Sequence, residues 1–266
     1  MPSAVFQPFP MVEGRRAQVW RHQPQFRRPR HFHEEPEINL VLNGHGVLGV
    51  GDQVRAVSAG DCVLFQPGQD HVLLDASEDF DLFVIALKPE LAQRACGSPA
   101  LPSRSCRLER SELDELGALL AALGSLADAD AVERQAAELF VRTRDRARST
   151  HVVSRRALES LQVDRGVSGA TLAARLRTTP SGVSRLFHRD LGVTLVEYRS
   201  RLRLMRFIEL VDGGAALGRA ASDADFGSYA QCHRVFQRVF GCAPRDYFAG
   251  AREGIDALLE LAIDRA

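Results

Sequence analysis

Between residues 19 and 87 the apolar residues come in short runs, each cut off by Gly, Asn, Asp or Pro. Ile38-Asn39-Leu40-Val41-Leu42 stops at Asn43-Gly44, Val47-Leu48-Gly49-Val50 stops at Gly51-Asp52, and Val54 to Val57 stops before Ala59-Gly60-Asp61. Cys62 to Phe65, His71 to Leu74 and Phe80 to Leu87 continue the series. Runs of this length predict about six or seven strands of an antiparallel domain, a small sandwich or barrel. Asn-Gly and Gly-Asp serve as hairpin turns because both hold positive φ at low cost. After Ser111 the period becomes helical. Leu113, Leu116, Leu119, Leu120 and Leu123, then Val132, Ala136, Leu139 and Phe140, predict two helices joined at Gly124–Ala127. On its own residues the pair reads as a hairpin capping the strands.

The last third repeats itself. Val183 to Gly192 aligns with Cys232 to Gly241 at an offset of 49, with Arg185/Arg234, Phe187/Phe236, Arg189/Arg238 and Gly192/Gly241 identical. Thr179 with Pro180, and Ser228, are suitable helix starts, while Gly192 and Gly241 are natural stops. Val183, Leu186, Phe187 and Leu191 share one stripe, as do Cys232, Val235, Phe236, Val239 and Phe240, so one face of each helix is core. Ser181, Ser184, Arg185, His188 and Arg189 are left outside in the first copy. Tyr229, Ala230, His233, Arg234, Gln237 and Arg238 are left outside in the second. A short Ala/Leu-rich helix precedes each, at Thr171–Leu176 and Ala216–Ala221, which makes two helix-turn-helix units. Thr194-x-x-Glu197 reads as a capping box for a long connecting helix ending near Val211.

Composition sharpens this picture. The 266 residues are 45% hydrophobic, enough for real cores, which excludes disordered and fibrous classes. No apolar run approaches the ~18 residues of a membrane span, and Met1-Pro2-Ser3-Ala4 does not open a secretion signal, so the expected place is the cytoplasm, away from membranes. Five cysteines without metal-finger spacing read as small buried thiols. The formal charge of zero conceals an asymmetry: residues 1–141 carry 13 Lys+Arg against 20 Asp+Glu, and residues 142–266 carry 21 against 14. A basic half suits a polyanion, although two solvated surfaces of opposite sign would give the same count.

In the acidic half, His31 and His33 share one face of an extended segment, Glu37 follows four residues later, and His71 comes from another strand. His31-x-His33-x3-Glu37-x6-Gly44, with Gly60-Asp61 through Pro67-Gly68-x2-His71, resembles the cupin family over roughly residues 25–87. That resemblance implies a barrel whose matched positions, His31, His33, Glu37 and His71, hold Zn, Ni, Fe or Mn in metal-bearing members. In other members they form hydrogen bonds in a pocket. Pro67 stands one residue late and the Asn expected after His71 is absent, which weakens the case for an enzyme. Trp20 and Phe65 are candidate walls of an effector pocket.

In the basic half, Arg185-Leu186-Phe187-x-Arg189-x-Leu191-Gly192 and Phe226-Gly227-Ser228-x5-Arg234-Val235-Phe236-x3-Phe240-Gly241-x2-Pro244-x2-Tyr247 resemble the DNA-binding domain of AraC/XylS-family transcription regulators, over Ser154 to Ala249. The resemblance implies base contacts from Ser181, Ser184 and Arg185, and from Tyr229, Ala230, His233 and Arg234. His188, Arg189 and Arg238 would lie nearer phosphate. Asp225 replaces the family's turn glycine and should disfavour positive φ.

The expected architecture is α+β: an antiparallel, cupin-like β-barrel for effector binding (1–100), a helical hairpin and linker (108–150) that the AraC/XylS resemblance implies as a candidate dimer contact, tandem helix-turn-helix units (154–250) and a helical tail (251–266). The expected function is a sequence-specific DNA-binding regulator, not an enzyme. Its expected partners are promoter DNA, a small-molecule effector or divalent metal, RNA polymerase and a second copy. The alternatives are a metal-dependent cupin enzyme, dioxygenase or isomerase, with a helical appendage, and a non-specific architectural DNA binder.

Overall fold

The computed structural model describes residues 5–22, 28–97, 105–124, 129–146 and 151–251. Its strands are β1 Val5–Phe6, β2 Ala17–Arg21, β3 His31–Phe32, β4 Glu37–Asn43, β5 His45–Val50, β6 Gln53–Ser58, β7 Asp61–Phe65, β8 His71–Ala76, β9 Asp81–Leu87 and β10 Ser105–Arg107. They form two sheets, ordered β1-β3-β8-β5-β6 and β10-β7-β4-β9-β2. No ladder among the described strands joins one sheet to the other, so the domain is a two-sheet sandwich where a closed barrel was expected. One ladder departs from the antiparallel pattern, since β1 runs parallel to β3.

The alternation along β4 explains the layering. Ile38 and Leu40 face one way, and join Leu64, Phe83 and Ile85 in a core shared with three helices. Val41 faces the other sheet with Val63 and Phe65. Asn39 and Glu37, two and four residues before Val41, share that inner face. A sheet apolar on both sides needs cover on both. After the short helix α1 (Pro89–Cys96), the helices α2 (Arg110–Gly124) and α3 (Ala129–Arg146) supply the outer cover. Leu113, Leu116, Leu120, Val132, Ala136, Leu139 and Phe140 are all buried there, while Leu119 is 37% exposed. The capping reading of the hairpin therefore accounts for most of its apolar stripe. α3 runs to Arg146, and residues 147–150 lie outside the described residues.

The remaining helices are α4 Val152–Val163, α5 Gly169–Arg175, α6 Pro180–Leu191, α7 Leu195–Asp212, α8 Leu217–Asp223 and α9 Tyr229–Phe240. A turn of helix at Pro244–Asp246 and a π-helical turn at Tyr247–Ala251 follow; the expected tail at 252–266 lies outside the described residues. The expected starts hold. Thr179 accepts from the Gly182 N–H, Thr194 from Glu197 and Ser228 from Gln231, and Gly192 and Gly241 stop their helices in the left-handed conformation. The box at Thr194 is only half made, because the Glu197 carboxylate turns to Arg201 at 2.6 Å. The recognition helices repeat at 49, but the short helices repeat at 48, since the second turn holds one more residue. Each turn has a left-handed residue, Arg177 (φ 50°) and Asp225 (φ 62°). Asp225 thus adopts the positive φ that it was expected to resist, as a short polar side chain can at modest cost.

The two halves share a core. Phe6 and Phe32 of the sandwich are buried with Leu158, Phe187, Tyr198, Leu202, Met205, Phe207 and Phe236 of the helical part. Each buried phenylalanine contributes about 2–3 kcal/mol by removal from water. Contact elsewhere is close enough to need glycine: a Cβ at Gly51, whose φ is +57°, would lie 2.0 Å from the Gly192 carbonyl oxygen. That oxygen accepts from the Asp52 N–H at 2.8 Å. None of the five cysteines forms a disulfide; Cys62 and Cys232 are buried and the other three only partly so.

Candidate functional site

The inner face of the sandwich gathers His31, His33, Glu37 and His71 from β3, the loop after it, β4 and β8. His31 and His71 stand opposite each other in the β3–β8 ladder. Each imidazole is oriented from behind: Nδ1 lies 2.8 Å from the Pro29 carbonyl in His31, 2.8 Å from that of Glu35 in His33, and 3.1 Å from that of Gln69 in His71. A carbonyl can only accept, so these bonds assign the proton to Nδ1 in every ring. In the neutral ring Nε2 is then a lone pair. One nitrogen from each ring falls within 4.8 Å of the others.

Glu37 closes the group, with Oε2 3.1 Å from His33 Nε2 and Oε1 3.6 Å from His71 Nε2. Nε2 of His31 and of His71 are buried without a hydrogen-bond partner. Burial, with the charge of Arg28 next, holds the His31 imidazole well below its ordinary range. Burial works to raise the Glu37 carboxyl, but His71 and His33 outweigh it and hold the group well below the carboxylate range. A lone pair 3.1 Å from a carboxylate oxygen is repulsive unless a proton or a cation lies between them. Nitrogen donors fixed through Nδ1 by carbonyls, with one carboxylate beside them, fit a divalent transition metal. Phe65 stacks on His71 at 4.2 Å and 12°. Trp20 stands one layer back: it stacks on Phe9 at 4.5 Å, and Phe9 meets His33 edge-on.

The turn that leads into His71 also carries the contact with the helical part. The Gly68 N–H donates to the His33 carbonyl, and the Pro67 carbonyl accepts from the Tyr198 hydroxyl at 2.7 Å. Gln69 Nε2 donates to the Leu191 carbonyl at 2.7 Å. Asp70 is paired with Arg201 of α7 on one oxygen and with Arg30, at 2.8 Å, on the other. Burial works against the charged form of Asp70, but Arg201 and Arg30 prevail and lower its pKa. Arg201 further donates to the Gly68 carbonyl and lies 5.1 Å over the Phe32 ring.

On the outer surface, Ser181, Ser184, Arg185 and Arg189 of α6 are exposed, as are Tyr229, Ala230, Gln237, Arg234 and Arg238 of α9. His233 is half-buried and meets Tyr229 edge-on at 6.0 Å. The buried stripes expected for both helices face the core, with Val183, Phe187, Leu191, Cys232 and Phe236 all enclosed.

Two family models divide the chain in the same way. A model described as an AraC-like ligand binding domain matches residues 16–144, and one described as a helix-turn-helix domain matches residues 172–250. The chain belongs to the AraC/XylS family of transcription regulators. It is similar to the HTH-type transcriptional activator RhaR of Mannheimia succiniciproducens, at 23% identity over 248 residues, covering 85% of this chain and 88% of that protein. Among solved structures it is similar to ToxT from Vibrio cholerae O395, at 16% identity and a TM-score of 0.46, covering 87% of this chain and 95% of that one. The AraC-like transcriptional activator CuxR is similar over 71% of this chain and 72% of its own, at 15% identity and a TM-score of 0.35.

An AraC/XylS regulator has a ligand-binding part and a DNA-binding part, and the expected site residues of this one sort accordingly. His31, His33, Glu37, His71 and Phe65 come together; Trp20 does not reach them. Ser181, Ser184, Arg185, Tyr229, Ala230, Arg234 and Arg238 lie open on the two recognition helices. His188 is engaged elsewhere, with Nε2 2.9 Å from Asp52 of the sandwich, and Arg189 bonds its neighbour Asp190. Asp70 and Arg201 were missed. Arg201 had a signal, since it interrupts the stripe of Tyr198, Leu202, Met205 and Ile208; Asp70 had none. No helix of the described residues is long and apolar enough to cross a membrane.

Proposed function

We propose that this regulator binds promoter DNA sequence-specifically in the cytoplasm as a homodimer, each copy laying α6 and α9 into neighbouring major grooves. One observation supports it above the others: two capped helices of one repeat expose the same Arg-bearing face, and the largely buried α7 joins their units. Arg185 and Arg234 suit bidentate contact with guanine. Ser181, Ser184, Tyr229, Ala230 and His233 lie on the same N-terminal halves and suit neighbouring bases, while Arg189 and Arg238 suit phosphate. His188 joins them only when its bond to Asp52 opens. Contact with RNA polymerase belongs to the activator role. Selection from random duplexes with the full chain tests this reading; an enriched motif supports it, and recovery of no motif, as from an architectural binder, refutes it.

A bound effector in the sandwich sets this activity, and the observation on Nδ1 and Nε2 favours a divalent ion there. His31, His33, His71 and Glu37 would hold it; such an ion supplies the positive charge that the converging lone pairs and the carboxylate otherwise lack. Nothing in the arrangement calls for turnover. Elemental analysis of purified protein before and after His33→Ala tests the ion: near-stoichiometric Zn, Ni, Fe or Mn, lost in the variant, is the expected result, and no such metal in the parent removes it.

A further inference from the structure

Arg28 stands in the approach to β3, three residues before His31, and has no part in the contacts described so far. The residue is half-buried, but Nε and Nη2 are sealed from solvent and neither has a hydrogen-bond partner among the described residues. These two atoms form one edge of the guanidinium, with parallel N–H groups at the spacing of the two oxygens of a carboxylate. No described carboxylate is ion-paired with that edge. The acids whose fields reach it are Glu37 and Glu35. Glu37 is committed to His33 and His71, and Glu35 to Lys88 at 2.7 Å. Burial pulls the Arg28 guanidinium down to about 10, with Glu37 and Glu35 pulling the other way, so it stays charged at neutral pH.

An enclosed, charged fork without an anion is among the costliest arrangements in a protein interior. Structures keep one where something else supplies the anion. Other buried polar atoms of the inner face are unanswered as well. The charge of Arg28 acts on His31. The buried Nε2 of His31 and of His71 lack partners, as does Oδ1 of Asn39, which shares the inner face of β4 with Glu37. A cavity of about 460 Å³ between α4, α7 and α8 sets only Arg165 and Arg206 against Asp164, Glu209, Asp223 and Asp225, so its excess charge is negative and does not suit an anion.

We propose that the effector of this regulator is a small organic acid, whose carboxylate takes the Nε–Nη2 edge of Arg28 beside the histidine cluster. The proposal rests on the sandwich being the sensor and adds the chemical class of what it senses. It holds with or without an ion at the histidines. An oxygen of the acid toward His31 would complete an ion's shell, and a hydroxyl would donate to Asn39.

The test uses the full chain and follows its melting temperature with acetate, pyruvate, benzoate and phenylacetate, each against its own amide, and with inorganic phosphate. At least one acid is expected to raise the melting temperature saturably while its amide does not. Arg28→Gln abolishes that response, and Arg28→Lys keeps part of it. Arg28→Gln is also expected to melt about 2–5 °C above the parent without ligand, because it removes an uncompensated buried charge. Four results overturn the proposal: no acid in the set produces a shift, an amide matches its acid, phosphate exceeds every carboxylate, or Arg28→Gln melts lower and keeps the response. The sensor reading fails separately, if an acid binds through Arg28 yet leaves affinity for the selected DNA unchanged.

Discussion

The hydroxyl of Tyr198, on the long helix that joins the two DNA-reading units, donates to the carbonyl of Pro67 at 2.7 Å, four residues before His71 in the chain. One turn, Gln66 to Asp70, thus carries a bond to the helical part on one side and orients the His71 imidazole on the other. β3 repeats the device. His31 and His33 point to the inner face while Phe32, between them, is buried against the helices beneath Arg201. Whatever moves the histidines moves residues one bond away that hold the DNA-reading half, which is the physical requirement for a ligand to prefer one arrangement of the halves.

The pair at Asp70 should be the energetic centre of that contact. Asp70→Ala leaves Arg30 buried without a carboxylate and Arg201 with only Glu197, and removal of one partner from a buried pair costs about 3–5 kcal/mol. Denaturant unfolding should show a loss of that size. A loss below about 1 kcal/mol, typical of an exposed pair, would mean that the contact opens in solution.

The hairpin has its own clasp. Glu133 of α3 accepts from the Arg16 N–H at 2.9 Å and from its Nε at 3.1 Å, and Arg16 chiefly lowers the carboxyl's pKa. A carboxylate with a depressed folded pKa stabilises above its unfolded value, about 4.3, and that stability goes as pH falls through the folded value. Glu133→Gln should therefore cost about 1 kcal/mol at pH 7 and less near pH 3. An equal cost at both pH values, read from urea midpoints, would contradict this.

At Asp225 the left-handed backbone is held by a residue that carries a Cβ. Asp225→Gly relieves that conformation, so a gain of about 0.5–1 kcal/mol is expected, offset in part by the freer unfolded chain. Calorimetry decides the sign. A loss would show that the side chain stabilises the turn, for instance by its approach to Gly166.

Salt dependence separates the arginines of α9. Arg238→Ala should weaken binding to all duplexes alike and flatten the log–log salt slope by about 1, as loss of one phosphate contact does. Arg234→Ala should weaken the selected site by about 1–3 kcal/mol and random DNA hardly at all. Identical behaviour of the two variants would refute the division of roles.

Much of this was legible in the sequence because it rests on local rules. The helix starts at Thr179, Thr194 and Ser228 and the stops at Gly192 and Gly241 each need only a few neighbouring residues. The inner-face grouping of His31, His33 and Glu37 follows from the two-residue period of a strand. His71 could be placed only by resemblance, because its partner strand is set by pairing over forty residues of chain. What stayed hidden was between the halves. Asp70, Gln69 and Arg30 look like ordinary turn residues until α7 arrives beside them, and Phe6 pairs parallel to β3 from a segment with no strand pattern of its own. Arg28 carries no sequence signal, since only the structure shows that its fork is enclosed and unanswered.

Selection from random duplexes with the parent chain and with Arg185→Ala and Arg234→Ala, run side by side, bears most directly on the duplicated reader. The parent should recover two blocks about one helical turn, 10–10.5 base pairs, apart. Each variant should lose information in one block and keep the other, with the two variants affecting different blocks. A single block, or loss of both blocks in either variant, would contradict two helices reading independently.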